Sequence, residues 1–207
     1  MDLRTVPVFA NSLLPVQRLL VATRNPHKTR EIQQILGREF EVIDLLAHPE
    51  LPDTEETGKT FEENAVLKAV TASSGLPDLV MADDSGLEVN ALEGAPGVRS
   101  ARYAGENATD AANVTVLLQA LEGIEDRSAR FRCVLVLAQD GAVISVFEGT
   151  IAGVITRVAR GDGGFGYDPI FVPEGFGQTF AELTLEVKNR ISHRAQALEK
   201  LVQHFRA

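Results

Sequence analysis

The feature that most constrains the fold is a short apolar run that leads directly into a capped helix. Residues 19–23 have the composition of a buried strand. Asn25 and Pro26 are residue types favoured at the N-cap and first position of a helix, and Gly37 is suited to end it. Because strands joined directly to helices build α/β sheets, the sequence predicts an α/β protein.

The turn between this strand and helix is a candidate anion site. Backbone N–H groups at a helix N-terminus are free, and the helix dipole favours negative charge there. A phosphate would fit, while an ordinary strand-to-helix connection with an exposed lysine is the commoner meaning of such a turn. The residues around the turn are Thr23, Arg24, Asn25 and Lys28.

A pair of adjacent carboxylates follows a second apolar run. Residues 79–82 predict a buried strand that ends at Asp83 and Asp84, with a turn at Ser85 and Gly86 and a further segment at residues 87–89. Paired carboxylates at a strand end can hold a hard cation such as Mg²⁺ and polarise a water. The alternative is a solvated Asp-Ser-Gly turn.

Two further helices are predicted from their caps. Thr60 and Glu63 form a capping box for a helix that carries Lys68 and ends at Gly75, and a Thr-Asp pair at 109–110 caps the next. Glu55 and Glu56 precede the first of these helices. They are either favourable charges at its N-terminus, or one of them is a second carboxylate for a metal. The Gly-Lys-Thr run at 58–60 is not a P-loop, because no strand precedes it and the earlier glycine is missing.

The second half of the chain is rich in strand signals. Residues 129–138 and 142–148 predict a hairpin joined by the turn at 139–141, and a third strand is predicted at 150–158. These strands are expected to form an antiparallel lobe beside the mixed region.

The glycine-rich stretch at residues 161–171 suits a loop close to a flat ligand. Its G-x-G-x-x-G spacing is not a dinucleotide fingerprint, because Asp168 and a proline stand where a helix should begin. Phe165 and Tyr167 provide rings that can stack on such a ligand, although a plain loop is an equal alternative. A final helix is predicted from Ser192, with a histidine and an arginine in its first turn.

Composition limits the class of protein. The formal net charge of -9 argues against nonspecific binding to nucleic acids or anionic membranes. No apolar run approaches the roughly 20 residues of a membrane span. The single cysteine, Cys133, lies in an apolar run and is interpreted as a core residue in a reducing, intracellular setting. Residues 1–17 are predicted to be an N-terminal extension and residues 18–207 a single domain of two lobes.

Five separated motifs carry a resemblance to a known family. They are Thr-Arg-Asn-Pro-His-Lys at 23–28, Glu-Glu-Thr-Gly at 55–58, Ala-Asp-Asp-Ser-Gly-Leu at 82–87, Gly-Gly-Phe-Gly-Tyr-Asp-Pro at 163–169 and Ser-His-Arg at 192–194. In this order they resemble the inosine triphosphate pyrophosphatase family, which acts on noncanonical purine nucleoside triphosphates. The similarity covers about residues 18 to 206.

The resemblance implies a fold, a reaction and a set of site residues. It implies a mixed α/β fold with two lobes around a nucleotide cleft, usually as a cytoplasmic homodimer, and hydrolysis of a triphosphate to monophosphate and pyrophosphate. Asp84 would be the base for the attacking water, with Asp83 in support, and Glu56 and Asp84 would bind Mg²⁺. The substrate-binding residues would be Thr23, Arg24, Asn25, Lys28, Lys68, Ser85, Phe165, Gly166, Tyr167, Asp168, Lys188, His193 and Arg194.

This chain departs from the family pattern at two positions. The first motif of the family commonly reads Thr-Gly-Asn-x-Gly-Lys, whereas here Arg24 and His27 replace the glycines. Two alternatives therefore remain at this stage. One is a Maf-like pyrophosphatase that acts on modified pyrimidine nucleotides, and the other is a catalytically silent nucleotide-binding protein.

Overall fold

The computed structural model describes residues 16–207 of the chain. The predicted N-terminal extension therefore lies almost wholly outside the described residues, and Gln17 already begins the first strand. Across residues 16–207, no helix combines the length and apolar character needed to cross a membrane.

One mixed sheet of six strands forms the centre of the described structure. Its order is β2-β1-β3-β4-β5-β6, with β1 parallel to both of its neighbours and the remaining pairs antiparallel. This confirms the predicted mixed α/β class. The strands are β1 (Gln17–Val21), β2 (Phe40–Asp44), β3 (Val80–Val89), β4 (Ser128–Gln139), β5 (Ala142–Ile155) and β6 (Phe171–Pro173).

Four of the five α-helices in the described residues begin where the sequence predicts, and the helix at Leu185–Ile191 was not predicted. The Asn25 side chain accepts a hydrogen bond from the backbone N–H of His27 at 2.9 Å, and the Thr60 and Ser192 hydroxyls each accept one from the N–H three residues on. These contacts satisfy donors that a helix leaves free at its N-terminus. The helices are α1 (Pro26–Leu36), α2 (Phe61–Gly75), α3 (Asp110–Ala120), α4 (Leu185–Ile191) and α5 (His193–Arg206).

Three apolar clusters define two lobes, the first containing two clusters on opposite faces of the sheet and the second containing the third cluster. One packs α1 and α5 on one face of the sheet, and a second packs α2 on the opposite face. The third surrounds Phe131, Phe171 and Phe180 and includes the apolar face of α3. Because β3 and β4 contribute to all three clusters, the long central strands run through both lobes and place their middle residues between them.

The predicted turn at Ser85 and Gly86 is wrong, because β3 continues through it to Val89. β4 pairs with all of β3, with Ser85 opposite Cys133, so this segment is held in the sheet on that side. On the other side, where β1 no longer pairs with β3, the Leu87 N–H donates to the Ser100 hydroxyl at 2.9 Å. A side chain at Gly86 would collide with Ser100, which explains a glycine inside a strand. Asp83 and Asp84 therefore lie in the middle of a strand.

The predicted third strand at 150–158 is also wrong as a separate element. β5 is continuous from residue 142 to 155, and the next strand is β6. The backbone of His193 in α5 occupies the space that a side chain at Gly149 would need, so this glycine permits close helix packing and does not interrupt the strand. The hairpin at 139–141 is confirmed, with positive φ angles of 52° at Asp140 and 74° at Gly141.

Candidate active site

The alternation of side chains along β3 separates the two adjacent carboxylates. Asp83 faces α1 and α5, whereas Asp84 faces α2. β3 pairs in parallel with β1 at Val80 and Met81, so both carboxylates lie just beyond the carboxyl end of β1. Ligands of α/β sheets bind at such strand ends, and the two carboxylates have different surroundings there.

Asp83 is fully engaged by basic groups. The Lys28 ammonium lies 2.6 Å from its Oδ1, and the Arg194 guanidinium donates from Nε to Oδ2 at 2.8 Å. The Ser85 hydroxyl also donates to Oδ1. Burial by itself would raise the pKa of Asp83, but Arg194 and Lys28 outweigh it and hold the pKa well below its usual range. Asp83 is therefore a fixed negative charge.

Asp84 is held at one oxygen and unpartnered at the other. Lys68 donates to Oδ1 at 2.7 Å, while the buried Oδ2 has no hydrogen-bond partner among residues 16–207. Burial raises the pKa of Asp84 despite the neighbouring Lys68. A buried carboxylate oxygen without a partner is costly, so this atom is suited to a cation or a water.

Glu56 reaches the same place from the segment that precedes α2. Its Oε1 accepts from Lys68 at 2.9 Å, and its Oε2 accepts from Arg102 at 2.9 Å. Burial opposes ionisation of Glu56, but Lys68 and Arg102 lower its pKa below the usual value. Lys68 thus joins Glu56 and Asp84, the two carboxylates that the resemblance assigns to a metal.

A second chain of ion pairs runs from Asp83 to the glycine-rich loop. Arg194 binds Glu31 as well as Asp83, and its side chain is buried. Lys188 lies 3.4 Å from Glu31 and 2.5 Å from Asp168. Arg194 therefore has carboxylate partners within the fold and does not depend on a bound anion, although it lies in the first turn of α5.

The glycine-rich loop is held by two acidic side chains. Asp168 accepts from the backbone N–H of Phe165 at 2.9 Å, and Asp110 accepts from the N–H of Gly166 at 2.6 Å. A side chain at Gly164, whose φ is +72°, would collide with the Asp168 carboxylate. This residue must be glycine if the loop is to reach Asp168.

Tyr167 is part of the core. Its ring is buried, and its hydroxyl donates to the backbone oxygen of Ser100 at 2.9 Å. Burial raises the pKa of this hydroxyl above its usual value. Two aromatic residues were predicted to stack on a ligand. Phe165 is half-buried, whereas Tyr167 is buried and supports the loop from the core.

One pocket between the lobes is lined by most of the predicted site residues. It includes carboxylates and a lysine at one end and aromatic and basic groups at the other. The predicted residues that line it are Asn25, Lys28, Glu56, Asp84, Ser85, Phe165, Gly166, Tyr167, Asp168, Lys188, His193 and Arg194.

Four predicted residues lie outside this lining. Lys68 and Asp83 do not line the pocket, but each forms a hydrogen bond with a residue that does, Asp84 and Lys28 respectively. Thr23 accepts a hydrogen bond from the backbone N–H of Asn25 at 3.1 Å. The structure does not bring Arg24 to the pocket, because its guanidinium binds Asp53 and the carbonyl oxygens of Leu45 and Leu51.

Three residues of this network were not predicted. Glu31 lies one turn after Lys28 on α1, and residues with this spacing share a helix face. This spacing could have indicated that Glu31 lies on the same side of α1 as Lys28. Asp110 was interpreted as part of a helix cap, and Arg102 was assigned no role in the site. Their partners are 56 and 46 residues away in the sequence, and no local pattern identifies such pairs.

His193 is buried and uncharged. Its ring stacks on Phe131 with 4.8 Å between centroids, and its Nδ1 has no hydrogen-bond partner among the described residues. Burial, with the nearby charges of Arg194 and Lys188, holds the pKa of His193 well below its usual value.

The uncharged state of His193 predicts a loss of stability in acid. Below about pH 6.5 the unfolded chain takes up a proton at this residue that the folded protein does not, so the free energy of unfolding falls by up to about 2 kcal/mol by pH 5. Urea unfolding of the wild type and His193→Gln at pH 7 and pH 5 tests this. The stability difference between the two proteins should shrink at pH 5, and a pH-independent difference would contradict the assignment.

The carboxylates fit a cation that also binds the substrate. Residues 16–207 contain no group of three or more His, Cys, Asp or Glu side chains that could hold a metal ion. Mg²⁺ is commonly bound by one or two carboxylates, with phosphate oxygens and waters completing its shell. The unpartnered oxygen of Asp84, close to Glu56, fits that kind of site.

The fold and pocket together define a mixed α/β protein with a cleft that is lined by carboxylates, lysines and aromatic rings. The chain belongs to the Ham1 family, whose sequence model matches residues 19–204. This confirms the family resemblance drawn from the five motifs.

Named relatives and solved structures agree with this membership. The chain is 52% identical over 193 residues to the dITP/XTP pyrophosphatase of Geobacillus kaustophilus. The aligned region covers 92% of this chain and 95% of the relative. It is 53% identical over 193 residues to the dITP/XTP pyrophosphatase of Geobacter sulfurreducens, covering 91% and 96%. A HAM1 protein from Coxiella burnetii has a similar structure, with a TM-score of 0.82, 45% identity and coverage of 91% and 98%.

Proposed function

We propose that the protein hydrolyses noncanonical purine nucleoside triphosphates, such as dITP, ITP, XTP and dXTP, to the monophosphate and pyrophosphate. This activity would keep deaminated purines out of DNA and RNA. The observation that carries the proposal is the unpartnered Asp84 oxygen beside Lys68, in the same pocket as an aromatic and basic end. The names of the relatives support the same reaction.

The charge of the pocket indicates why a divalent cation is needed. Five basic groups pair with five carboxylates, and Asp110 adds a sixth carboxylate to the pocket lining, so the protein by itself offers no net positive charge to a highly anionic triphosphate. Glu56 and Asp84 would hold Mg²⁺, which when bound would neutralise phosphate charge and favour an activated water. The basic groups are Lys28, Lys68, Arg102, Lys188 and Arg194, and the carboxylates are Glu31, Glu56, Asp83, Asp84 and Asp168.

The residues of the chain would divide the work between binding and proton transfer. Lys28, with the N-terminus of α1 at Asn25, would hold the phosphates. The Lys68 ammonium, which binds Asp84 in the free protein, would also stabilise negative charge on the substrate. Asp84 would accept the proton of the attacking water, since its raised pKa makes it a better base than Asp83. Asp83 would keep Lys28 and Arg194 in place.

Selectivity would come from the other end of the pocket. Inosine and xanthosine carry a keto oxygen at position 6, where adenosine carries an amino donor. A donor from His193 or Arg194 would pair with the keto oxygen, whereas adenine would leave a buried donor unpaired, which costs on the order of 1–3 kcal/mol. One such contact is worth about one to two decades of discrimination.

A substrate panel tests the function. Pyrophosphate release is measured with Mg²⁺ from dITP, XTP, dATP and dGTP, and dITP and XTP should react at least about tenfold faster than dATP. Equal rates on all four would contradict the proposed specificity. Modified pyrimidine triphosphates in the panel test the Maf-like alternative, which family membership does not favour, and turnover excludes a silent binding protein.

Replacement of Lys28 should mainly weaken substrate binding. Lys28→Ala removes a charged donor from the phosphate end, so the KM for dITP should rise about 10- to 100-fold, with a smaller change in kcat. Steady-state kinetics give both constants, and the exposed Lys59→Ala is the matched control. If neither constant changes in Lys28→Ala, Lys28 does not belong to the site.

Assembly and location are further parts of the proposal. A homodimer follows from the resemblance, and the net charge and single cysteine favour a cytoplasmic protein without direct nucleic-acid binding. Light scattering on the purified protein measures the assembly directly.

A further inference from the structure

The ring of His27 contacts the glycine-rich loop across the mouth of the cleft. Its centroid is 5.6 Å from that of Phe165, with an angle of 25° between the ring planes. This is an offset stack within the range of favourable aromatic pairs. His27 is in the first turn of α1 and Phe165 is in the loop after β5, so the stack joins the two lobes.

Phe165 separates the pocket from a second cavity. It lines both, and so does Lys188, whereas His27 lines the second cavity and is not part of the pocket lining. His27 therefore contacts Phe165 from outside the pocket. Phe165 also lines the pocket, where the Arg194 guanidinium carbon lies 5.8 Å from the ring centroid, so a ligand there would contact the part of the ring that Arg194 leaves uncovered.

Hydrogen bonds fix the backbone around Phe165 but not its ring. Gly164 and Gly166 flank it with φ angles of +72° and +62°, a region that glycine enters at low cost. The Asp168 and Asp110 carboxylates hold the N–H groups of Phe165 and Gly166, and neither bond restricts the side chain. The groups that face the ring are the His27 ring, the Lys188 ammonium at 4.9 Å from the ring centroid and the Arg194 guanidinium at 5.8 Å.

We propose that His27 is a positioning residue that holds Phe165 as a platform for the purine ring of the substrate. The proposal rests on the proposed function and adds a residue that does not itself touch the substrate. The common family pattern has glycine at the position of His27. A glycine has no ring, so it could not form the stack with Phe165 that this chain forms. Loss of one aromatic pair should weaken nucleotide binding about two- to tenfold.

Kinetics of three His27 variants test this role. His27→Ala and His27→Gln remove the ring and should raise the KM for dITP about two- to tenfold with kcat nearly unchanged, while His27→Phe keeps a ring and should restore KM. Arg30→Ala is the matched control, because Arg30 lies on the same helix and borders the same cavity. An unchanged KM in His27→Ala would overturn the proposal.

A double-variant cycle separates positioning from general stability. In a Phe165→Leu background, His27→Ala should have no further effect on KM, because the ring that it positions is already absent. A merely structural role would instead produce the same factor in both backgrounds, and that result would also overturn the proposal.

A fluorescence experiment keeps the test independent of turnover. The sequence has no tryptophan, so Phe165→Trp introduces a single reporter at the platform. Adding His27→Ala should shift its emission to longer wavelength and weaken the binding of dIMP, a monophosphate that cannot release pyrophosphate, titrated in the presence of Mg²⁺. If the wild type releases no pyrophosphate, the proposed function fails, yet these two measurements still decide the role of His27. Identical emission and affinity with and without the His27 ring would refute it.

Discussion

Asp84→Asn should reduce kcat for dITP by about 10²- to 10⁴-fold while leaving the protein folded. The loss is large because asparagine cannot accept the proton of the attacking water and is a weaker ligand for a hard cation. The fold should survive because Lys68 can still donate to the remaining amide oxygen. The raised pKa of Asp84 also indicates that a neutral group is tolerated at this position.

Asp83→Asn is the matched comparison, since the two residues are adjacent and chemically identical. Asp83 neutralises Lys28 and Arg194 in a buried setting, so its replacement leaves basic groups uncompensated and should destabilise the fold by about 3–5 kcal/mol. Urea unfolding and steady-state kinetics on both variants should therefore give opposite patterns.

Two results would contradict this division of roles. A kcat close to that of the wild type in Asp84→Asn would remove Asp84 from the chemistry. Equal destabilisation in the two variants would show that the different surroundings of the carboxylates do not lead to different functions. Circular dichroism of each variant at the assay temperature confirms that the rates come from folded protein.

Local signals in the sequence were sufficient to predict the helix starts and the separate pieces of the site. Asn25, Thr60 and Ser192 each bind a free N–H within three residues along the chain, so residue type and spacing contain the necessary information. The hairpin at Asp140 and Gly141 is local in the same way. The five motifs could be recognised as one family because their order is preserved.

Interactions between distant segments were not predictable in this way. Ser85 and Gly86 look like a turn until β4 pairs with them, and Gly149 looks like the end of a strand until α5 packs on it. Arg24 was grouped with the phosphate turn because it is adjacent to it, but its guanidinium reaches the segment after β2. The sequence shows that these side chains are small or charged, but the segment that each one contacts is determined by the fold.

Arg194→Leu should destabilise the protein by about 3–5 kcal/mol, a large part of the 5–15 kcal/mol that holds a typical domain together. The Arg194 side chain is 2% exposed and binds Asp83 and Glu31, so leucine would leave two buried carboxylates without their shared cation. Burial opposes its charge, but Asp83 and Glu31 raise the pKa of Arg194 well above its usual value.

Arg206→Leu is the control for this experiment, because it changes the same residue type in the same helix. Arg206 pairs with Glu39 at the surface, where both side chains are 61% exposed, so the free energy of unfolding should change by less than about 1 kcal/mol. In addition, Asp83→Asn should cost less in the Arg194→Leu background than alone, since one partner is already lost. Strict additivity, or equal stability of Arg194→Leu and Arg206→Leu, would show that Arg194 is not the shared cation that stabilises Asp83 and Glu31.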